Sequence, residues 1–339
     1  MSSHSIRRLS LPTPFPVGPV NAYVLLGEPL TLVDPGPAFP AAREALEKGL
    51  AELGLDLGAV EAVLLTHPHV DHFGLAEEVA SRSGARVYAH ADAVERLAGA
   101  SGRTRPAELA ACAELLLRSG ATPEYNEALF RQWAATERLA STVRVDESLS
   151  EGDRPVLGGV EWQVVDTPGH CRGSLCLYDE AGRRLVSGDH LLLDISTNAL
   201  LEFREPRPGD RPLGRTPASP DGLVRERSLL VYIGSLRKVA ALDVEKVLPG
   251  HGPEFGNPRS VVTRRLEHYE RRKAEIVQVL AELGPSPAFR LARTLFPDQK
   301  EPMGQFLALS EVLGHLDLLE LHGRVRCREE AETDVWEKA

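Results

Sequence analysis

Lysine, cysteine and long apolar runs are all scarce in this chain of 339 residues. No apolar run approaches the roughly 18 residues that a membrane helix needs. The first residues also lack the apolar segment of a signal peptide, so a signal peptide is not expected. The four cysteines form no CxxC pair, a pattern typical of reduced thiols. Six lysines stand against 33 arginines, as in GC-rich genomes or heat-adapted hosts. We therefore expect a cytoplasmic protein without a membrane partner.

The densest cluster of chemically active side chains is the stretch THPHVDH at residues 66–72, directly after an apolar run. Neutral imidazole and carboxylate are the usual ligands of zinc, iron and manganese. In an extended turn, His67 and His69 point to one side, while Asp71 and His72 can turn toward a second point a few ångströms away. The spacing therefore predicts two metal ions rather than one, and two-metal sites activate water for hydrolysis.

Three further candidate ligands each close an apolar run inside a glycine-containing turn. They are His170 in TPGH, Asp189 in SGDH and His251 in PGHG. Glycine permits the tight, positive-φ backbone that can lie beside a bound ion. A single histidine in a turn more often caps the turn or is solvated. Taken together, however, these residues provide all the ligands that a closed dinuclear site needs.

This ordered set, together with VDPG at residues 33–36, resembles the metallo-β-lactamase superfamily over about residues 15–256. The resemblance implies an αββα sandwich of two facing sheets with the metal ions at one edge. It also implies seven metal ligands, divided between two ions. These are His67, His69 and His170 for the first metal, Asp71, His72 and His251 for the second, and Asp189 bridging both.

The same resemblance implies roles for individual residues. A metal-bridging hydroxide would be the nucleophile, and Asp71 would orient it or shuttle a proton. Asp34 would lie behind the ligands and orient a metal-bound imidazole. Asp189 stands where the best-known antibiotic-cleaving enzymes have cysteine, and a bridging carboxylate is typical of the thioesterase, lactonase and nuclease branches, so β-lactam hydrolysis is not expected. His190 follows in extended backbone and is expected to point away from the metals.

Strand-like runs alternate with amphipathic helices along most of the chain, which predicts an α/β (α+β) architecture. Residues 91–140 interrupt the pattern with two or three predicted helices and are interpreted as a helical insert that forms a lid. Three of its aromatic residues either face a substrate or form the insert's own small core: Tyr125, Phe130 and Trp133. The irregular stretch 194–222 is predicted to form the rim of the site. Three of its arginines either bind an anionic group of the substrate or are simply solvated: Arg204, Arg207 and Arg211.

The last part of the chain is predicted to hold helices at 264–283, 288–295 and 303–319, followed by a hairpin around Gly323. This order is similar to a winged helix, a C-terminal module of some metallo-β-lactamase-fold hydrolases, including endoribonucleases that cut single-stranded RNA. We therefore predict a catalytic domain at 1–258 and a winged-helix-like domain at 259–339.

Charge tests whether this module binds nucleic acid. From residue 259 onward there are 13 Lys and Arg against 14 Asp and Glu, and the rest of the chain has 26 against 35. The segment 303–319, which would enter a major groove, contains no Lys or Arg, so DNA binding is not expected. Arg324, Arg326 and Arg328 lie on one face at period two, which leaves a local RNA contact open. Otherwise the module packs on the catalytic domain or forms the interface of a homo-oligomer.

Three functions compete on these observations. The first is a dinuclear hydrolase of a small ester, thioester or lactone, with the insert forming the pocket for a small-molecule substrate. The second is a metal-dependent endoribonuclease acting on single-stranded RNA, which predicts salt-sensitive binding. The third is a non-enzymatic, metal-stabilised interaction protein. Zinc is the expected metal, although iron or manganese suits nitrogen and oxygen ligands equally well.

Overall fold

The computed structural model describes residues 5–99, 106–206 and 222–339. Within these ranges the chain divides into two units. The first comprises residues 5–99, 136–197 and 235–262, and the second comprises residues 106–135, 198–206, 222–234 and 263–339. No described helix is long and apolar enough to cross a membrane. The predicted division of the chain between residues 258 and 259 stays a prediction.

The first sheet contains the six strands that come first among the described residues, in chain order. They are β1 (Ser5–Leu11), β2 (Val20–Leu26), β3 (Thr31–Val33), β4 (Ala62–Leu65), β5 (Arg86–His90) and β6 (Glu147–Leu149). β1 to β3 pair antiparallel, whereas β3 to β6 run parallel. Because parallel strands end at the same edge, Asp34 after β3 and Thr66 after β4 lie at one edge of this sheet.

The second sheet follows a short antiparallel pair, β7 (Val156–Leu157) and β8 (Val160–Glu161). Its strands are β9 (Gln163–Asp166), β10 (Leu175–Asp179), β11 (Arg184–Gly188) and, after two short strands described below, β14 (Lys246–Pro249). They lie in the order β14-β11-β10-β9. β11 and β14 are parallel, so Asp189 and His251 leave the sheet at the same edge.

Helices cover the sheets and form most of the second unit. In chain order they are α1 (Pro40–Glu52), α2 (Val70–Phe73), α3 (Ala76–Ser83), α4 (Val94–Ala98), α5 (Pro106–Arg118), α6 (Pro123–Thr136), α7 (Ser228–Ala241), α8 (Pro258–Leu283), α9 (Ala288–Leu295) and α10 (Pro302–Leu321). The described residues of 91–140 contain α4, α5 and α6 and no strand, which confirms the helical insert.

The two sheets face each other across an apolar core, as the alternation along β2 shows. Tyr23 and Leu25 pack in one buried cluster with Leu177 of the second sheet. Val24, on the opposite face of β2, packs in another cluster with Leu46 of α1. The predicted αββα sandwich is confirmed.

The second unit has a core of its own, in which the insert and the C-terminal helices share residues. The ring centroids of Tyr125 and Phe289 lie 4.9 Å apart, and those of Trp133 and Phe306 lie 5.0 Å apart. The Tyr125 hydroxyl donates to the carbonyl of Pro302. These aromatic residues therefore pack on α9 and α10, and the core that they join is not the insert's alone.

The remaining strands of the described residues form two antiparallel pairs in the second unit. They are β12 (Phe203–Arg204) with β13 (Val224–Arg225), and β15 (Val325–Glu329) with β16 (Asp334–Lys338).

The hairpin predicted around Gly323 is wrong in position. Gly323 has φ +63° and its N–H bonds the carbonyl of Glu320, so it ends α10. The hairpin turns later, where the N–H of Glu330 bonds the carbonyl of Thr333. Glycine at positive φ serves both as a helix end and as a hairpin turn, and the sequence alone does not separate the two. The order of three helices and a hairpin is present, and the winged-helix interpretation stays a prediction.

Candidate metal centre

The THPHVDH stretch changes backbone conformation halfway, and this divides its ligands into two sets. β4 ends at Leu65, His69 is extended with φ −94° and ψ 142°, and α2 then begins at Val70. His67 and His69 thus precede the helical turn, while Asp71 and His72 lie inside it. The turn redirects the second pair of side chains, as the spacing predicts.

The predicted ligands converge in two groups among the described residues. In each group the offered ligand atoms all lie within 4.8 Å of one another. The groups are His67, His69 and His170, and Asp71, His72 and His251. A further group of the same kind, formed by Asp34 with His67 and His72, joins the two.

Asp189 lies between the two groups and reaches both. Its Oδ1 is 3.4 Å from Nε2 of His72. Its Oδ2 is 3.6 Å from Nε2 of His251 and 3.8 Å from Nε2 of His170. One carboxylate thus faces imidazoles of both groups, which is the position that a bridging ligand needs.

Two glycines leave room for this arrangement. A Cβ at Gly250 would lie 2.7 Å from Cε1 of His72 and would overlap Oδ1 of Asp189. Gly188 has φ +47°, and a Cβ there would lie 2.5 Å from the Thr66 hydroxyl oxygen. Only glycine allows the backbone to approach Asp189, His72 and Thr66 so closely.

Hydrogen bonds leave one nitrogen of each buried ring for a cation. Nδ1 of His251 donates to the carbonyl of Pro19 at 2.9 Å, and Nδ1 of His72 donates to Oδ2 of Asp34 at 2.8 Å. The Nε2 atoms of His67, His72 and His251 and Oδ1 of Asp189 are buried without a hydrogen-bond partner. Each Nε2 can take either a proton or a metal ion.

The electrostatics of the centre favour a cation. Burial, assisted by the neighbouring imidazoles, lowers the pKa of His67 well below its usual value and that of His69 to about 3. Burial opposes ionisation of Asp189, yet His72 and His251 hold its pKa well below the usual range. Burial also opposes charge on His72, but Asp189, Asp71 and Asp34 raise its pKa well above the usual value. Three carboxylates thus favour a positive charge at the ring of His72, and a metal ion bound at its Nε2 would take the place of the proton there.

The donor atoms of the centre match the ligand preferences of divalent metal ions. The donor set is nitrogen and oxygen, the donor atoms converge in two groups with a carboxylate between them, and several are buried without another partner. Zinc, iron and manganese all accept such ligands. The residues therefore fit two divalent ions, and the assignment of each ligand stays a prediction.

Other predicted site residues take different positions. His190 is buried, belongs to none of the three groups and contacts the backbone of Ser235. Arg204 forms an ion pair with Glu226 at 2.7 Å, so its charge is already compensated. Arg207 and Arg211 lie outside the described residues.

Sequence reasoning missed the groups that support the ligands from behind. The carbonyl of Pro19 holds His251, and the Thr66 hydroxyl lies 3.0 Å from Nδ1 of His67. The charge of Arg96 acts on His69 and contributes to its low pKa. The sequence gives no sign that the carbonyl of a proline supports a ligand. Thr66 could have been proposed, because it directly precedes the first histidine of the motif.

Comparisons with known proteins agree with the geometry. Residues 15–251, which contain all seven predicted ligands, match the metallo-beta-lactamase superfamily. The chain is 31% identical over 344 residues to the probable metallo-hydrolase YqjP of Bacillus subtilis strain 168, covering 99% of this chain and 97% of that protein.

Two crystal structures resemble the whole chain. One is the metallo-beta-lactamase family protein TTHA1429 from Thermus thermophilus, with 28% identity, a TM-score of 0.79 and 98% of both chains covered. The other is a beta-lactamase domain protein from Burkholderia ambifaria, with 26% identity, a TM-score of 0.80, and 100% of this chain and 93% of that one covered. This chain therefore belongs to the metallo-β-lactamase superfamily.

Proposed function

We propose that the protein is a dinuclear metal-dependent hydrolase of a small ester, thioester or lactone. The observation that carries the proposal is the position of Asp189, whose carboxylate faces imidazoles of both ligand groups within 3.8 Å. The description of YqjP as a probable metallo-hydrolase supports the reaction class. The substrate class rests on the bridging carboxylate and on charge.

The seven predicted ligands would be divided between the two metal ions. His67, His69 and His170 would hold one ion, Asp71, His72 and His251 the other, and Asp189 both. When bound, two divalent ions supply Lewis-acid activation of water and of the carbonyl oxygen of the substrate. Burial of the ring nitrogens keeps competing water away from the ligands.

We assign to Asp71 the role of orienting the attacking water. Its Oδ2 lies 3.3 Å from Nε2 of His251, and its side chain is 14% exposed, whereas that of His251 is fully buried. The carboxylate is therefore partly accessible to solvent. His72 and His251 hold its pKa low against the effect of burial, which favours the carboxylate form, and a carboxylate oxygen can accept a hydrogen bond from a water molecule and orient it.

Charge supports a small substrate over RNA. The chain has a net charge of −10, and the arginines of the β15–β16 hairpin are paired with acids: Arg326 with Glu337 at 2.7 Å, and Arg328 with Glu330 at 3.1 Å. Paired arginines offer phosphates less attraction than a free basic track. The endoribonuclease is therefore the less supported alternative.

The proposal is tested by metal content and a panel of substrates. Elemental analysis of gently purified protein should find two divalent ions per chain. The panel contains an aryl ester, a thioester, a lactone, bis(p-nitrophenyl) phosphate and single-stranded RNA. We expect Asp189→Ala to lower kcat/KM for an ester, thioester or lactone by more than about 100-fold.

Asp179→Ala is the matched control, because Asp179 is also a buried carboxylate but pairs with Arg184 away from the ligand groups. It should keep both ions and full activity. Cleavage of RNA alone, lost in Asp189→Ala, would assign the nuclease function instead. Two bound ions with no cleavage of any substrate would favour the interaction protein, and absence of metal would overturn the dinuclear proposal.

A further inference from the structure

His90 joins the two facing sheets at the edge where the candidate ligands lie. It is the last residue of β5 in the first sheet, and its Nδ1 accepts from the N–H of Asp92 at 3.0 Å. The hydrogen of the neutral ring is therefore on Nε2. That Nε2 lies 3.1 Å from Oδ1 of Asp166, the last residue of β9 in the second sheet, and the side chains of His90 and Asp166 are 10% and 29% exposed. A largely buried polar contact thus connects β5 to β9.

Asp166 is also held through its backbone. Its N–H donates to Oε2 of Glu151 at 2.7 Å, and its carbonyl accepts from Nζ of Lys238 at 2.8 Å. Lys238 donates to the same oxygen of Glu151, also at 2.8 Å. Three side chains from different parts of the first unit therefore fix the position of one residue. The entropy cost of ordering this residue falls on folding and not on the binding of a ligand.

Asp166 directly precedes the turn that carries His170. Near the end of that turn, Gly173 packs against the start of the helical insert, because a Cβ on Gly173 would lie 2.7 Å from Cβ of Ala93. Ala93 lies only three residues after His90. One short segment of the chain therefore contacts the His170 turn on both sides.

We infer that His90 is a positioning residue that acts through Asp166 to hold His170 in place before metal binds. His170 has to meet two ligands from the other sheet, because His67 and His69 follow β4, whereas His170 follows β9. The contact of His90 joins the same two sheets. The inference rests on the proposed dinuclear site, since it concerns how one half of that site is assembled.

The second ligand group is held by other contacts. Nδ1 of His251 donates to the carbonyl of Pro19, and the side-chain amide of Asn21 donates to the carbonyl of Pro249 at 2.8 Å. Loss of the contact of His90 should therefore weaken one metal site and leave the other unchanged. A general loss of stability would not distinguish the two sites.

Three substitutions separate the contact from other effects. In His90→Asn, the amide oxygen takes the place of Nδ1 and still accepts from the N–H of Asp92, but the shorter side chain has no atom that reaches Asp166. Asp166→Ala removes the carboxylate and leaves the ring. Asp166→Asn keeps an oxygen for the ring N–H and should behave as the wild type. Because both losses remove the same contact, the double variant His90→Asn with Asp166→Ala should lose no more zinc affinity than either single variant.

The experiment has two readouts. Titration with Zn²⁺ against a chromophoric chelator gives the number and affinity of the sites, and side-chain spectra of ¹⁵N-histidine-labelled protein show which rings bind. We expect the zinc affinity of the site formed by His67, His69 and His170 to fall about 10- to 100-fold in His90→Asn and Asp166→Ala. The affinity of the other site should not change. Activity lost at limiting zinc should return at excess zinc, which loss of a catalytic group would not allow.

Asp179→Ala is the control, because it removes a buried carboxylate that pairs with Arg184 at the other end of β10. It should keep two zinc sites of wild-type affinity. Unchanged affinity at both sites in His90→Asn and Asp166→Ala, or equal weakening of both sites, would overturn the inference and leave the proposed function intact. A wild type that binds no zinc would instead overturn the proposed function. If Asp166→Ala does not fold, the contrast between His90→Asn and Asp166→Asn decides.

Discussion

Gly250 shows how much of the centre depends on the absence of one methyl group. Its Cα faces both Asp189 and His72, and a Cβ would displace one of them. We expect Gly250→Ala to weaken zinc binding by at least about tenfold, because a ligand must move from its position. Isothermal titration with Zn²⁺ measures the change.

Gly234 is the matched control for this substitution. It lies exposed in α7, and a Cβ there meets nothing within 4 Å. Gly234→Ala should leave zinc binding unchanged and raise the free energy of unfolding by about 0.5–1 kcal/mol, since alanine loses less backbone entropy in a helix. Equal zinc affinities in the two variants would show that the space at Gly250 is not needed.

His315 predicts how the stability of the second unit depends on pH. The ring is fully buried in α10, and burial lowers its pKa to about 4. The folded protein keeps it neutral down to that pH, while the unfolded chain takes up the proton near its ordinary value of 6.5. Stability is therefore fully present above pH 6.5 and falls by about 3 kcal/mol as the pH drops toward 4.

The charges around His315 add to this effect, and one hydrogen bond opposes it. Arg272, His268 and Lys273 further lower the pKa of His315, whereas the bond that its Nδ1 donates to the backbone carbonyl of Glu311 raises it. We expect the free energy of unfolding of His315→Gln to depend less steeply on pH between 6.5 and 4, as urea titrations would measure. His322→Gln, which changes an exposed ring, is the control. A variant as acid-sensitive as the wild type would contradict the assignment.

At the scale of elements, one buried ion pair joins β13 to α10. Arg225 donates to both carboxylate oxygens of Asp317, at 2.8 and 2.5 Å, and the two side chains are 8% and 3% exposed. Asp317→Asn should lower the free energy of unfolding by about 3–5 kcal/mol, because it leaves a buried guanidinium without its counter-charge.

An exposed pair provides the comparison for this prediction. The side chain of Arg326 is 69% exposed in its pair with Glu337, so Glu337→Gln should cost less than about 1 kcal/mol. Chemical unfolding of both variants measures the difference. A loss of under about 1 kcal/mol in Asp317→Asn would show that solvent reaches the buried pair.

The sequence predicted elements best where a local pattern determines them. The bounds of α9 agree with the predicted helix at 288–295, because helical periodicity and a flanking proline mark them within a few residues. The convergence of His170, Asp189 and His251 could be anticipated because each follows an apolar strand in a glycine turn.

What the sequence did not predict depends on contacts between distant residues. The pairing of Arg204 with Glu226 joins β12 to the residue that follows β13. The packing of Trp133 on Phe306 joins residues 173 positions apart. The hairpin was predicted too early in the chain because glycine at positive φ is favoured both at a helix end and in a hairpin turn.

At the scale of the whole molecule, the predicted ligands all come from the first unit but from turns far apart in the chain. Bound metal should therefore stabilise that unit by binding only its folded state. We expect a chelator such as EDTA to lower the thermal midpoint, and added Zn²⁺ to restore it.

Hydrogen exchange locates this effect. Amides of the first unit, in particular those of β4, β11 and β14, should exchange faster after metal removal, and those of α9 and α10 should change less. Asp189→Ala should respond weakly to the chelator. Uniform acceleration across both units would contradict this prediction.

The hydrogen bond between His251 and Pro19 spans 232 positions of the chain. During synthesis the first residues leave the ribosome early, and the THPHVDH stretch follows long before His251 has been made. The second ligand group therefore stays incomplete until translation has passed residue 251, whereas all members of the first have been made once His170 is in the chain. We therefore expect the second metal ion to be the later one to bind during assembly of the protein.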